Sequence, residues 1–131
     1  MSSLKIFPGV LGLVMMFGCL TDPGEFQIDG TYTYVGKKAD GSIESTGSFS
    51  IWSTSDSTFF GSWVLENVQG DGKLVGWRKD GEVGMDLHPG WRDHNLLLKG
   101  TFKVRAISGT WQWVGFGGPM SEGTFEAKRK Q

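Results

Sequence analysis

Four turn dipeptides, Asp40-Gly41, Asp71-Gly72, Asp80-Gly81 and Ser108-Gly109, divide the chain into short segments in which apolar and polar residues alternate. Both central residues of the favoured two-residue hairpin turn need positive φ, which glycine adopts freely and aspartate tolerates. Each dipeptide therefore marks a place where one strand doubles back on the next. No helical period outlasts a single turn between them. The chain reads as all-β.

A two-residue turn also fixes register, because residues equidistant from it face each other and point to the same side of the sheet. Around Asp40-Gly41 this predicts an inward face of Tyr32, Tyr34, Ile43, Phe49 and Ile51, with Thr31, Thr33, Glu44, Thr46 and Ser48 outward. Around Asp71-Gly72 and Asp80-Gly81 it groups Trp63, Leu65, Leu74, Val83, Met85 and Leu87 inward. The other side then holds Glu66, Lys79, Glu82 and Asp86, together with Val64, Val68, Val75 and Trp77. Further on, Leu96, Leu98, Phe102 and Val104 alternate with polar residues, and the Ser108-Gly109 turn adds Trp111 and Trp113 to their face. Gly100 is expected to mark a bulge or bend in that strand. In the last segment Phe125 and Ala127 point inward.

Eight strands result, over about 29–37, 42–53, 58–68, 73–79, 82–88, 94–105, 107–116 and 122–130. Every neighbouring pair can form a hairpin. An even number of strands with short connections suits an eight-stranded antiparallel up-and-down barrel, since closure removes exposed edges. A two-sheet sandwich accommodates the same pattern.

Ahead of the first strand lies the run IFPGVLGLVMMF, preceded by Lys5 and followed by Gly18 and the only cysteine, Cys19. At residues 6–17 the run has the length of a secretory signal core, about 7–15 residues, and is short of the roughly 18 needed to span a bilayer. One cysteine allows no disulfide within the chain. Residues 1–18 are read as signal, 19–28 as anchor and tether, and 29–131 as one domain. Beyond residue 18 the chain keeps 12 of its 13 basic residues against 14 acidic ones, with no basic stripe suited to nucleic acid.

The "MFGC" ending resembles a bacterial lipobox. The resemblance covers residues 1–19 and implies cleavage after Gly18, a diacylglycerol on Cys19, and a membrane as partner through that lipid. Leu20, where an aspartate would retain the protein at the inner membrane, implies the outer membrane. Residues 29–130 resemble a lipocalin-like, calycin-type barrel, through "SGTWQW" at 108–113 and the "EGTFEAKRK" ending. In that family the first strand carries Gly-x-Trp; here Tyr32 stands at the tryptophan position.

Chemistry is sparse. The loop HPGWRDH holds His88 and His94 with Asp86 and Asp93 close by, yet their spacing matches no metal signature, and two solvated histidines in a wide turn are expected. No Gly-x-Ser-x-Gly elbow occurs and the serines of STSDST have no neighbouring histidine, so no catalytic residue, cofactor or enzymatic activity is expected. The informative excess is aromatic. Tyr32, Tyr34, Trp63, Trp111 and Trp113 all face inward, where they either fill a narrow core or line a cavity for a small apolar or aromatic ligand. Asn67 and Arg78 would be the polar groups that orient it. Arg78 stands next to a turn and can instead snorkel out of the barrel end. If the core is filled, binding passes to the outer face and loops, with Trp77, Trp91 and Phe116 as contacts for an envelope protein.

Overall fold

The computed structural model describes residues 27–131; the signal segment and Cys19 lie outside them. The strands are β1 (Gly30–Lys38), β2 (Ile43–Ser53), β3 (Thr58–Leu65), β4 (Lys73–Lys79), β5 (Glu82–Asp86), β6 (Asn95–Phe102), β7 (Ala106–Gly115) and β8 (Gly118–Arg129). Each pairs antiparallel with the next, and β8 pairs with β1, which closes the barrel and excludes the sandwich. The cross-strand rows climb steeply. One that leaves Ser53 passes Phe59, Gly76, Met85, Leu98, Trp111 and Gly123 and rejoins β1 at Lys38. All strand edges are paired within Gly30–Arg129 and the core draws on every strand, so this unit is structurally self-contained.

The Asp80-Gly81 hairpin has the predicted register, Lys79 opposite Glu82 and Trp77 opposite Gly84. Its two central residues have φ of 53° and 87°. The Asp40-Gly41 register also holds, with Tyr32 opposite Phe49, until it slips by one residue between Gly36 and Lys37. There Gly41 N–H bonds the Lys38 carbonyl at 2.9 Å, and the Ser42 hydroxyl and amide hold the Asp40 carboxyl below the usual aspartate range. Beyond that slip Ile43, expected inward, is 62% exposed.

Two turns lie elsewhere than predicted. β3 ends at Leu65, and residues 66–72 form a longer connection in which Asp71-Gly72 is only the last corner. Ser108 and Gly109 sit within β7, and the β6–β7 hairpin turns at Val104-Arg105, with φ of 47° and 64° and paired Lys103–Ala106 backbone bonds. A β-branched residue rarely takes φ above zero, which is why the pattern does not announce this turn. Val104, expected inward, is at its tip and 64% exposed. Both displacements shift the pairing by an even number of residues, so the other strand side chains keep their predicted faces, whereas Val68, expected outward, lies on the 66–72 connection and packs against the core. Gly100 shows no register slip; it lies directly opposite Gly109, where a Cβ would meet the Ser108 carbonyl oxygen at 2.3 Å.

Candidate functional site

The barrel interior is a packed column of rings. Tyr32 stacks on Phe49 at 5.2 Å between centroids, Tyr34 stacks on Phe125 at 5.6 Å and meets Phe49 edge-on at 6.3 Å. Each aromatic handle for which a bond is seen is used by the protein itself. The Tyr32 hydroxyl donates to the Ile28 carbonyl at 2.6 Å, which places Ile28, assigned to the tether, in the core. Trp63 Nε1–H is shared between the Lys73 and Leu87 carbonyls at 2.8 and 2.9 Å, and Trp111 Nε1–H donates to the Lys37 carbonyl at 3.0 Å. The interior is thereby tied to the backbone at both ends of β1, at the start of β4 and just after β5.

Burial disfavours the phenolate, so the Tyr32 hydroxyl is pushed up to about 12 and that of Tyr34 is raised further. These are the only tyrosines of the chain. Both groups are protonated in the folded and unfolded states below pH about 10; above it only the unfolded chain ionises. Stability is therefore full below pH 10 and falls as pH rises toward 12, by roughly 2–3 kcal/mol for Tyr32 alone. In an alkaline titration, tyrosinate absorbance should appear in one step that coincides with loss of β circular dichroism. A separate tyrosinate step near pH 10 in the folded protein would show the rings to be open to solvent.

At the other end of the barrel stands a group that periodicity did not reveal. His88 was expected in solvent but is 1% exposed. Its Nδ1 accepts the Leu96 N–H at 3.0 Å, so Nε2 carries the proton and donates to the Gln69 carbonyl at 2.6 Å. The ring stacks on Trp91 at 4.1 Å, lies 5.6 Å from Trp113 and meets Trp63 edge-on at 5.7 Å. His94, at φ 64°, is 5.4 Å from Trp113. Asp86 accepts the His88 backbone N–H at 2.8 Å, and Asn95 donates to the His88 carbonyl at 2.9 Å. His88 is thus the keystone of a plug that holds the 87–94 connection over the barrel end. Both its ring nitrogens are occupied, and among the described residues no group of three or more His, Cys, Asp or Glu is arranged to hold a metal.

Of the other candidates, Trp113 is half-buried against this plug, whereas Asn67 is exposed on the 66–72 connection at φ 63° and does not reach the interior. Arg78 faces inward at the opposite end, its guanidinium 5.7 Å above the Phe102 ring. It borders an open depression of about 620 Å³ with Asp29, Ser53, Asp56 and Asp80.

The outer surface carries the larger concavity, a groove of about 880 Å³ crossing β4 to β8. Its floor is the row Gly76, Met85, Leu98, Trp111 and Gly123, in which the Met85, Leu98 and Trp111 side chains are buried in the core. Val75, Asp86 and Leu97 form one wall; Trp77, Lys99 and Thr110 form the other. The Val75 row continues backwards through Phe60 to Trp52, whose rings lie 5.6 Å apart. Trp52, Phe60, Val75 and Trp77 are each more than 40% exposed. Trp77 lies over Gly84, where a Cβ would meet its indole at 2.4 Å. Trp91 and Phe116, both exposed, sit apart from this band on connections at the His88 end.

No family model and no curated protein sequence matches the chain. Among solved structures it is similar to one described as EF1p2_mFAP2b bound to DFHBI, at 13% identity and a TM-score of 0.52, over 79% of this chain and 94% of that one. At that identity the similarity concerns the fold, and it agrees with the closed eight-stranded barrel.

Proposed function

We propose that the protein is an exported lipoprotein, held at a membrane by a lipid on Cys19, whose barrel is a non-enzymatic binding module that meets an envelope polypeptide with its outer face. The observation that carries the binding part is the apolar band Trp52, Phe60, Val75 and Trp77, which runs across three adjacent strands in the open. Monomeric proteins seldom leave such a contiguous patch uncovered, and tryptophans at the centre of a patch carry most of the energy of an interface. The anchor rests on the apolar run ending in Gly18-Cys19, and Leu20 favours the outer membrane.

Two measurements test the parts separately. Cells fed labelled fatty acid should label the full chain, and Cys19→Ser should abolish the label; undiminished labelling of the mutant would remove the anchor. A photo-crosslinking side chain at Phe60 should capture a partner in intact cells. The pair Trp52→Ala and Trp77→Ala should cut that capture at least tenfold while the far-ultraviolet spectrum stays unchanged. Capture that ignores the two tryptophans would mean that the band is not the interface.

A second reading, a small apolar ligand held by Tyr32, Tyr34, Trp63, Trp111 and Trp113, draws support from the density of inward rings and from the similarity to a barrel fold solved with DFHBI bound. It requires the ring column to open.

A further inference from the structure

The chain enters the barrel at a place of unusual charge. Arg129 donates through Nη1 to the Gln27 carbonyl and, at 3.2 Å, to the Asp29 carbonyl, and the Lys130 N–H bonds the Thr31 carbonyl at 2.7 Å. The entering segment is therefore clamped to the end of β8. The β6–β7 turn lies beside it, joined by the Arg129 N–H to Arg105 carbonyl bond at 2.8 Å. Together the turn and the β8 end bring Lys103, Arg105, Lys128, Arg129 and Lys130 into one arc. The acidic residues within it are Glu126, 3.9 Å from Lys128, and Asp29, whose carboxylate accepts the Ser53 N–H at 3.1 Å. The other described residues carry seven basic against ten acidic side chains. Positive charge is thus gathered on the arc from which the N-terminal segment departs, and negative charge predominates elsewhere.

A second feature of the arc is apolar. Val104 projects from the turn 64% exposed, on a backbone at φ 47° that a β-branched residue adopts at a cost. A valine kept at such a tip, where Asn or Gly would relieve the backbone, is a local concession that folding does not require.

We propose that this arc seats the barrel end on anionic lipid headgroups, with the Lys103, Lys128 and Lys130 ammonium groups at the phosphate level and Val104 dipping into the interface. The inference rests on the lipid-anchor reading for its geometry. Seven residues separate Cys19 from Gln27, and at about 3.3–3.6 Å per residue they span at most about 29 Å. A lipid on Cys19 would hold the arc within that distance of the bilayer, where a weak electrostatic contact becomes an intramolecular one. Each Lys or Arg brought to an anionic surface multiplies partitioning about fivefold.

The test uses residues 27–131, the self-contained barrel, so that its outcome does not depend on the anchor, which the fatty-acid labelling of Cys19 decides independently. The protein should sediment with vesicles of phosphatidylcholine containing about one third phosphatidylglycerol, should not sediment with phosphatidylcholine alone, and should be released by salt as screening lengths shorten. Lys103→Gln with Lys130→Gln should lower partitioning about 25-fold. Val104→Gly should lower it as well without lowering the melting temperature, since glycine relieves the backbone. Lys37→Gln with Lys38→Gln, at the opposite end, should change it less than twofold. Equal binding to neutral vesicles, no binding to anionic ones, or an equal loss from the Lys37 and Lys38 pair would each overturn the proposal.

Discussion

Trp63→Ala should lower the unfolding free energy by about 3–5 kcal/mol, the range for deleting a large buried ring. Three losses combine. The indole fills the space between β3 and the 87–94 plug, at 5.7 Å from the His88 ring. Its N–H satisfies two backbone carbonyls, those of Lys73 and Leu87, which belong to different elements. Removing it leaves both acceptors to find new partners inside a closed end. Trp63→Phe keeps most of the ring and discards only the donor, so it should cost less, about 1–2 kcal/mol. Denaturant unfolding of the two variants measures the split. The same variants discriminate between the two functional readings. In a filled barrel an apolar probe produces no saturable change in tryptophan emission, and Trp63→Ala is costly. A barrel that opens around a ligand predicts saturable emission changes and a small stability loss, because a cavity wall has fewer packing partners.

The inward face was legible because strand periodicity survives errors in turn position. Asp80-Gly81 has both the residues and the backbone of a two-residue turn, so its register was read correctly to the residue. Asp71-Gly72 and Ser108-Gly109 have the residues of a two-residue turn without its backbone, yet the displacement is even in both cases and leaves Trp63, Leu74, Trp111 and Trp113 on the predicted side. Val104-Arg105 has the backbone of such a turn without the residues, and nothing local marks it. The exposed ends of strands were read least well. Ile43 and Val104 have the right parity and the wrong environment, because a slip or a turn ends the regular pleat before it reaches them.

The candidate site was legible only in its composition. Alternation places Tyr34 or Trp111 indoors, but whether the rings line a space or fill it depends on how the steep stagger of the rows brings opposite walls together, which is a tertiary quantity. Trp111 illustrates this: its bond to the Lys37 carbonyl joins residues 74 positions apart in sequence. His88 shows the converse limit. Its burial depends on the Leu96 amide and the Gln69 carbonyl, one from β6 and one from the 66–72 connection, and neither lies within a window in which a motif is sought.

Closure on so small a radius depends on glycine where strands press together, and Gly61→Ala should reveal this with a loss of about 3 kcal/mol, the upper end of overpacking costs. Gly61 lies inward on β3 opposite Ile51, and a Cβ there would stand 1.9 Å from the Ser50 carbonyl oxygen and 3.3 Å from the Ile51 Cα. Both obstacles are backbone, so no rotamer change relieves them and β2 must move. Its φ is outside the left-handed region, so alanine meets no conformational penalty of its own and the measured loss reports the strand approach. The same arrangement recurs at Gly109, where a Cβ would lie 2.0 Å from the Lys99 carbonyl oxygen, and at Gly123, 2.1 Å from that of Lys37. Seams β2–β3, β6–β7 and β8–β1 are thus all drawn tight by an absent side chain. Gly117, in the β7–β8 turn, has nothing within 4 Å of its would-be Cβ and an unexceptional φ, so Gly117→Ala should stay within about 0.5 kcal/mol. Chemical denaturation of the two alanine variants decides the matter: a tolerated Gly61→Ala would mean that the barrel can widen at that seam, and with it that the ring column has room to admit a ligand.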